Sequence, residues 1–254
     1  MQIAITGAGC VSPVATTAPG LAEALGSGAL GVRAAPWSVA DDPSLFAAVH
    51  DGFDAAEVVD ERLRAGTDRV VHFGLAAAAE ALDQAGLGAP GALDPFRTAV
   101  VDGTSMGGFY SLMHAQWALD TGGPASIPPK AMLKVWSNMT AAQVSIRHGL
   151  HGPQLTVTTA CAAGLDALGH AAGLIAAGVV DVALCGGTEG GALVPADHAG
   201  GFRPVTSVAG RILGMESGER DPARAVLPFD VDRSGIVFGE GPAWVVPESG
   251  RPAA

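Results

Sequence analysis

The run Gln154–Thr159 and the stretch Ala160–Ala177 behind it limit the architecture of this chain more than any other segment. Gln-Leu-Thr-Val-Thr-Thr is rich in β-branched side chains, which favour extended backbone, and it passes with no polar loop into Ala160-Cys161-Ala162-Ala163-Gly164 and a long helical pattern. A strand leading directly into a long helix is the repeating unit of α/β sheets.

Other segments extend the pattern. Gln2–Thr6 reads as a short buried strand stopped by Gly7-Ala8-Gly9. Pro19, behind Thr17 or Ala18, opens a helix that Gly26-Ser27-Gly28 closes. Arg33–Asp60 is irregular. Asp68–Ala85 places Val71, Leu75, Ala78 and Leu82 at helical spacing and ends on Gly86, after which Arg97–Val101 is a second strand. Gly103–Gly108 is a loop, followed by an aromatic helical stretch with Phe109, Tyr110 and Trp117 that Pro128-Pro129 breaks. Met132–Ile146 is helical again, Asp181–Leu184 is a strand ending at Gly186-Gly187, and Ala243–Val246 is the last strand. The expected fold is α/β: a mixed, mostly parallel sheet of about five strands with helices on both faces.

Lys and Arg number 14 against 25 Asp and Glu, a net charge of −11, which argues against general binding to nucleic acid or anionic membrane. Contact with an acidic partner then needs a local basic patch. Hydrophobic residues make up 48% of the chain and charged ones 15%, so apolar surface is left for a large subunit interface and the chain is expected to be a homo- or hetero-oligomer. Cys10, Cys161 and Cys185 form neither a closed disulfide set nor a zinc signature, and Met1 leads into Gln-Ile-Ala-Ile with no basic leader. A reducing cytoplasm fits. Cys161–Val180 has the length of a membrane span but carries Asp166, His170 and several glycines, and reads as a buried helix leading into a strand.

Gly7-Ala8-Gly9-Cys10-Val11-Ser12 resembles the start of a dinucleotide fingerprint, but Ser12 stands where the third glycine belongs and Pro13 follows. It reads instead as a glycine loop turning a buried strand out of its sheet, and no cofactor or metal is expected. Cys161 is the sharper candidate, because the β-branched strand delivers it to the start of a helix whose free N–H groups and dipole favour a thiolate. Its small neighbours Ala162 and Gly164 leave room for a bulky acyl substrate. The alternative is a packing cysteine. Cys185 precedes two glycines rather than a helix, and Cys10 has no evident activating partner.

A nucleophilic cysteine in acyl chemistry commonly works with a histidine. His170 falls on the opposite helix face, about 13 Å along the axis. His148 and His151 belong to the other end of the strand, while His50, His72, His114 and His198 sit in no motif that recommends them. The sequence therefore offers Cys161 no base.

Val157-Thr-Thr-Ala-Cys161-Ala-Ala-Gly164 resembles the nucleophile motif of β-ketoacyl-acyl carrier protein synthases, the condensing enzymes of fatty-acid and polyketide assembly. Four further stretches agree in order: Ile5–Pro13, His148–Pro153, Cys185–Glu189 and Pro228–Gly241. The resemblance implies a thiolase-like half over residues 1–254, with the family's two histidines, its lysine and one oxyanion-hole loop in a C-terminal half that this chain lacks. It implies that Cys161 accepts an acyl group from acyl carrier protein, with its own N–H in the oxyanion hole. It also implies that Phe202 gates the acyl pocket, that Arg62 and Arg64 lie near the carrier-docking patch, and that Gln154–Thr159 pairs across a dimer axis.

Two readings follow. In one, the chain is the nucleophile half of a split ketosynthase completed by another polypeptide. In the other it is a non-condensing partner, since Ser145–Pro153 and Asp221–Asp230 resemble polyketide chain-length factors. Those usually lack the cysteine, and its presence here favours the first.

Overall fold

The computed structural model describes residues 2–35, 44–190 and 205–250. In chain order the elements are β1 (Ile3–Cys10), α1 (Ala18–Gly26), β2 (Arg33–Ala34), β3 (Leu45–Phe46), α2 (Ala55–Val58), α3 (Glu61–Gly66) and α4 (Arg69–Gln84). There follow β4 (Thr98–Gly103), α5 (Phe109–Gly122), α6 (Ala131–Val135), α7 (Met139–His148), β5 (Gln154–Val157), α8 (Ala163–Ala176), β6 (Val182–Glu189), α9 (Val205–Ile212) and β7 (Gly241–Ser249). They divide into two compact units. One holds residues 2–11, 53–190 and 241–250, and the other the described parts of 12–52 and 191–240.

The first unit is built on a five-stranded sheet in the order β1-β7-β6-β4-β5. β6, β4 and β5 are parallel neighbours, joined through α5–α7 and through α8, the helical crossovers that parallel pairing requires. β7 runs against both β6 and β1. Four strands therefore point one way, and the single reversed strand makes two of the four pairings antiparallel. On one face α4 and α7 bury Val71, Leu75, Leu82 and Val144 against Val100, Leu184, Trp244 and Val246. On the other, α8 buries Ala167, Ala171 and Ile175 against Ala99, Val101, Ala183 and Cys185.

β1 does not stop at Gly7 but continues to Cys10. A Cβ on Gly7 would stand 2.0 Å from the Ala81 carbonyl oxygen, and one on Gly9 2.1 Å from that of Ala77. Both glycines thus let α4 lie directly on the strand; they form neither a nucleotide loop nor a turn out of the sheet. β6 likewise runs through Gly186 and Gly187 to Glu189.

The helix expected over Met132–Ile146 is broken into α6 and α7 at Trp136, whose backbone is extended. The Gly103–Gly108 loop presses into that break: a Cβ on Gly108 would stand 1.8 Å from the Lys134 carbonyl oxygen. α5 ends ahead of the two prolines, at Gly123 with φ of 74°.

In the second unit, Thr17 caps α1 by accepting the Gly20 amide. β2 and β3 pair antiparallel, within a region that sequence pattern left irregular. The Glu240 carboxylate accepts the Val49 amide at 3.0 Å. Among the described residues no helix is long and apolar enough to cross a membrane, and none of their His, Cys, Asp and Glu side chains group so as to hold a metal ion.

Candidate active site

The carboxyl ends of β4, β5 and β6 lie side by side, with Gly103 in register with both Val157 and Gly187. That edge is where open α/β sheets hold their ligands. Beyond β5 the chain enters a 3₁₀ turn over Ala160–Ala162 and then α8. Ala160 takes a left-handed backbone, φ 53°, which a residue with a Cβ seldom adopts.

Cys161 sits in that turn and is exposed. It lies in the 3₁₀ turn leading into α8 rather than in the α-helix itself, and the acid in the first turn of α8 is Asp166. Sequence pattern merges the two because a 3₁₀ turn and an α-helix share their residue preferences and differ only in hydrogen-bond register. Ala162 is exposed beside Cys161. Gly164 faces Gly187, where an added Cβ would reach the Gly164 Cα at 3.1 Å. The other two cysteines are buried. Burial, with the charge of Glu80 added, pushes the Cys10 thiol up to about 11, and burial pushes that of Cys185 up to about 12.

Two acids at the same edge escaped the sequence reading. The Glu189 carboxylate accepts the amides of Ser105 at 2.8 Å and Met106 at 3.2 Å, and so fixes the loop after β4. Burial pushes Glu189 up, and the amide hydrogen bonds work against that shift. Asp102 is wholly buried, and its Oδ1 accepts the Thr188 hydroxyl at 2.9 Å; that hydroxyl accepts the Trp244 indole N–H at 2.8 Å. Its Oδ2 has no partner, and burial holds its pKa well above the ordinary carboxylate range. The visible signal was one acid, Asp102, directly after the apolar run Ala99–Val101.

Among the described residues Cys161 has no side-chain hydrogen-bond partner. His170 is exposed on α8. His151 stacks on Phe96, with ring centroids 5.3 Å apart, at the amino end of β4 and β5. His148 closes α7, His114 lies against the Trp117 ring on α5, and His50 belongs to the second unit. His72 is buried on α4 with Nε2 3.1 Å from the Thr67 hydroxyl. His198 and Phe202 lie outside the described residues.

A family model described as beta-ketoacyl synthase, N-terminal domain, matches residues 1–252. This chain belongs to the beta-ketoacyl synthase family. It is 35% identical over 248 residues to a 3-oxoacyl-[acyl-carrier-protein] synthase 2 of Coxiella burnetii and 31% identical over 248 residues to that of Vibrio cholerae. In each case the match covers 97% of this chain and 58% of the relative, so the chain spans little more than half the length of these synthases. A crystal structure of a Burkholderia phymatum beta-ketoacyl synthase superposes with a TM-score of 0.80 at 26% identity, covering 98% of this chain and 59% of that one. The ishigamide ketosynthase/chain length factor superposes with a TM-score of 0.79 at 25% identity, covering 98% and 58%. A type II polyketide ketosynthase in complex with its acyl-carrier protein shares the fold, with a TM-score of 0.81 at 24% identity, covering 98% and 58%.

In this synthase domain Arg62 and Arg64 lie on α3, and tertiary structure adds cations that the sequence reading missed. Burial first, then the charges of Arg69, Lys134 and Arg64, hold the His72 imidazole down at about 4. The Lys130 ammonium lies beside Gly66, 3.2 Å from where a Cβ would stand. The only two lysines of the chain, Lys130 and Lys134, therefore join Arg64 and Arg69 in one basic neighbourhood.

Proposed function

We propose that this chain carries the nucleophile of a β-ketoacyl-acyl carrier protein synthase. The carrying observation is an exposed Cys161 at the carboxyl edge of three parallel strands, in a chain whose other cysteines are buried. The Cys161 thiolate attacks the thioester carbonyl of acyl carrier protein, with the Cys161 N–H contributing to the oxyanion hole. The carrier's C–S bond breaks, the carrier leaves as its thiolate and takes a proton from solvent in place of the one Cys161 gave up, and the acyl group stays on Cys161. Decarboxylative Claisen condensation in fatty-acid or polyketide assembly then uses histidines and a lysine from another chain or segment. Ala162 and Gly164 leave space for the acyl chain, and Phe202 gates it. Arg62 and Arg64, with Lys130 and Lys134, contact the acidic carrier; on a chain of net charge −11 this patch is what attracts an anionic partner.

The second reading is a chain-length-factor-like partner that shapes a ketosynthase without condensing. The likeness of Ser145–Pro153 and Asp221–Asp230 to chain-length factors favours it. The test is incubation with an acyl-loaded carrier protein, with and without a complementary ketosynthase half, read by intact mass. An acyl adduct on Cys161 supports the first reading. A folded chain with no adduct in either condition supports the second.

A further inference from the structure

The turn that presents Cys161 is held differently on its two sides. Behind it, the start of α8 is seated on the sheet: a Cβ on Gly103 would stand 2.2 Å from the Ala163 carbonyl oxygen and 2.6 Å from the Gly164 nitrogen. α8 therefore cannot settle further inward. On the outer side Ala160, Cys161 and Ala162 are all exposed. Within the turn the Ala162 amide donates to the Thr159 carbonyl at 3.2 Å, and the Ala163 amide donates to that of Ala160. Ala160 holds a left-handed backbone with a Cβ attached, a conformation that persists only where its surroundings impose it. The residue before α8, Ala162, supplies no capping side chain.

One side-chain bond spans this turn. The Thr159 hydroxyl, immediately before it, donates to Oδ2 of Asp166 in the first turn of α8. A hydroxyl donating to a carboxylate is a charge-assisted bond, stronger than a neutral one. It ties the end of the β5 segment to α8 across the three turn residues.

We infer that Asp166 is a positioning residue for the nucleophile: by accepting the Thr159 hydroxyl it clamps the Ala160–Ala162 turn and holds Cys161 in the orientation that acyl transfer needs. This rests on the acyl-transfer reading of Cys161. Removing the clamp leaves the thiol exposed but lets the turn sample other conformations, and small misplacements of a reacting group are expensive in rate.

The experiment compares Asp166→Leu, Asp166→Asn, Thr159→Val and the Asp166→Leu/Thr159→Val double variant in the full chain. Three readouts are used: Cys161 acylation by an acyl-loaded carrier with and without a complementary half, amide hydrogen exchange at Ala162 and Ala163, and alkylation of Cys161 by iodoacetamide. Asp166→Leu and Thr159→Val are each expected to slow acylation about tenfold, with the double variant no slower than either single one. Exchange at the two amides rises in all three. Asp166→Asn still accepts the hydroxyl and stays within about threefold of the unmodified chain, as does iodoacetamide alkylation throughout, since a small reagent makes little demand on orientation. Acylation by Asp166→Leu at the unmodified rate with unchanged exchange overturns the proposal, as does Asp166→Asn falling as far as Asp166→Leu, or additive losses in the double variant. If the unmodified chain takes no acyl group with or without a complementary ketosynthase half, the acyl-transfer reading fails by itself; hydrogen exchange, which needs no acyl donor, then still shows whether the clamp exists.

Discussion

Gly103 and Ala163 meet backbone to backbone, for a methyl group on Gly103 would stand 2.2 Å from the Ala163 carbonyl oxygen. The last residue of β4 thus sets how close α8, and the Cys161 turn before it, can approach the sheet. Gly103→Ala is expected to lower stability by about 1 to 3 kcal/mol, the usual cost of overpacking. It should reduce Cys161 acylation as well, because α8 must back away. Urea unfolding and intact-mass acylation measured on the same variant check both, and a variant as stable as the parent would show that α8 has slack here.

Exposure separates the three cysteines. Cys161 is expected to take up iodoacetamide before Cys10 and Cys185, which are buried and whose thiols are pushed up to about 11 and about 12. Cys161→Ala should remove the fast adduct while changing stability by no more than about 1 kcal/mol, as for an exposed residue. Peptide mapping after timed alkylation gives the order directly.

His72 makes stability depend on pH in a defined window. Its folded pKa is lowered to about 4 from 6.5, so between these values the unfolded chain binds more protons than the folded one. Its contribution is undiminished above about pH 6.5 and is lost as pH falls toward 4. His72→Gln cannot take up that proton. Between pH 6.5 and pH 4 the parent is expected to lose roughly 3 kcal/mol more than the variant, as a difference of unfolding free energies. Equal losses in the two proteins would mean that His72 titrates alike in both states.

Asp102 works in the opposite sense. Its folded pKa is raised by burial, so the folded chain holds a proton that the unfolded chain gives up, and stability falls as pH rises above the ordinary carboxylate range. Asp102→Asn removes the ionisable group while keeping the side chain's shape. The variant's stability relative to the parent is expected to climb as pH rises above the ordinary carboxylate range. Chemical denaturation across that rise would show the climb, and a flat difference would contradict it.

Much of the fold was legible because its signals are local. Asp68 and Gly86 bracket α4 as expected, since a capping carboxylate and a glycine act through their neighbours in the chain. Pro19 and Thr17 open α1 for the same reason. The glycines were harder. Gly7, Gly9, Gly186 and Gly187 read as chain breaks, whereas they lie inside strands whose partners come too close for a side chain. The break between α6 and α7 was hidden likewise, because the backbone that presses into it arrives from Gly107 and Gly108.

At the site, sequence alone determined that Cys161 follows a β-branched strand and precedes a long helix, and that its surroundings are small. Those facts are written in consecutive residues. Tertiary structure alone decided that Cys161 occupies a 3₁₀ turn, that Lys130 and Lys134 join Arg64 and Arg69, and that Asp102 is sealed beside Thr188 and Trp244. Each depends on which distant backbone or charge lies opposite a residue. That is fixed by how the helices pack on the sheet, and no local pattern carries it.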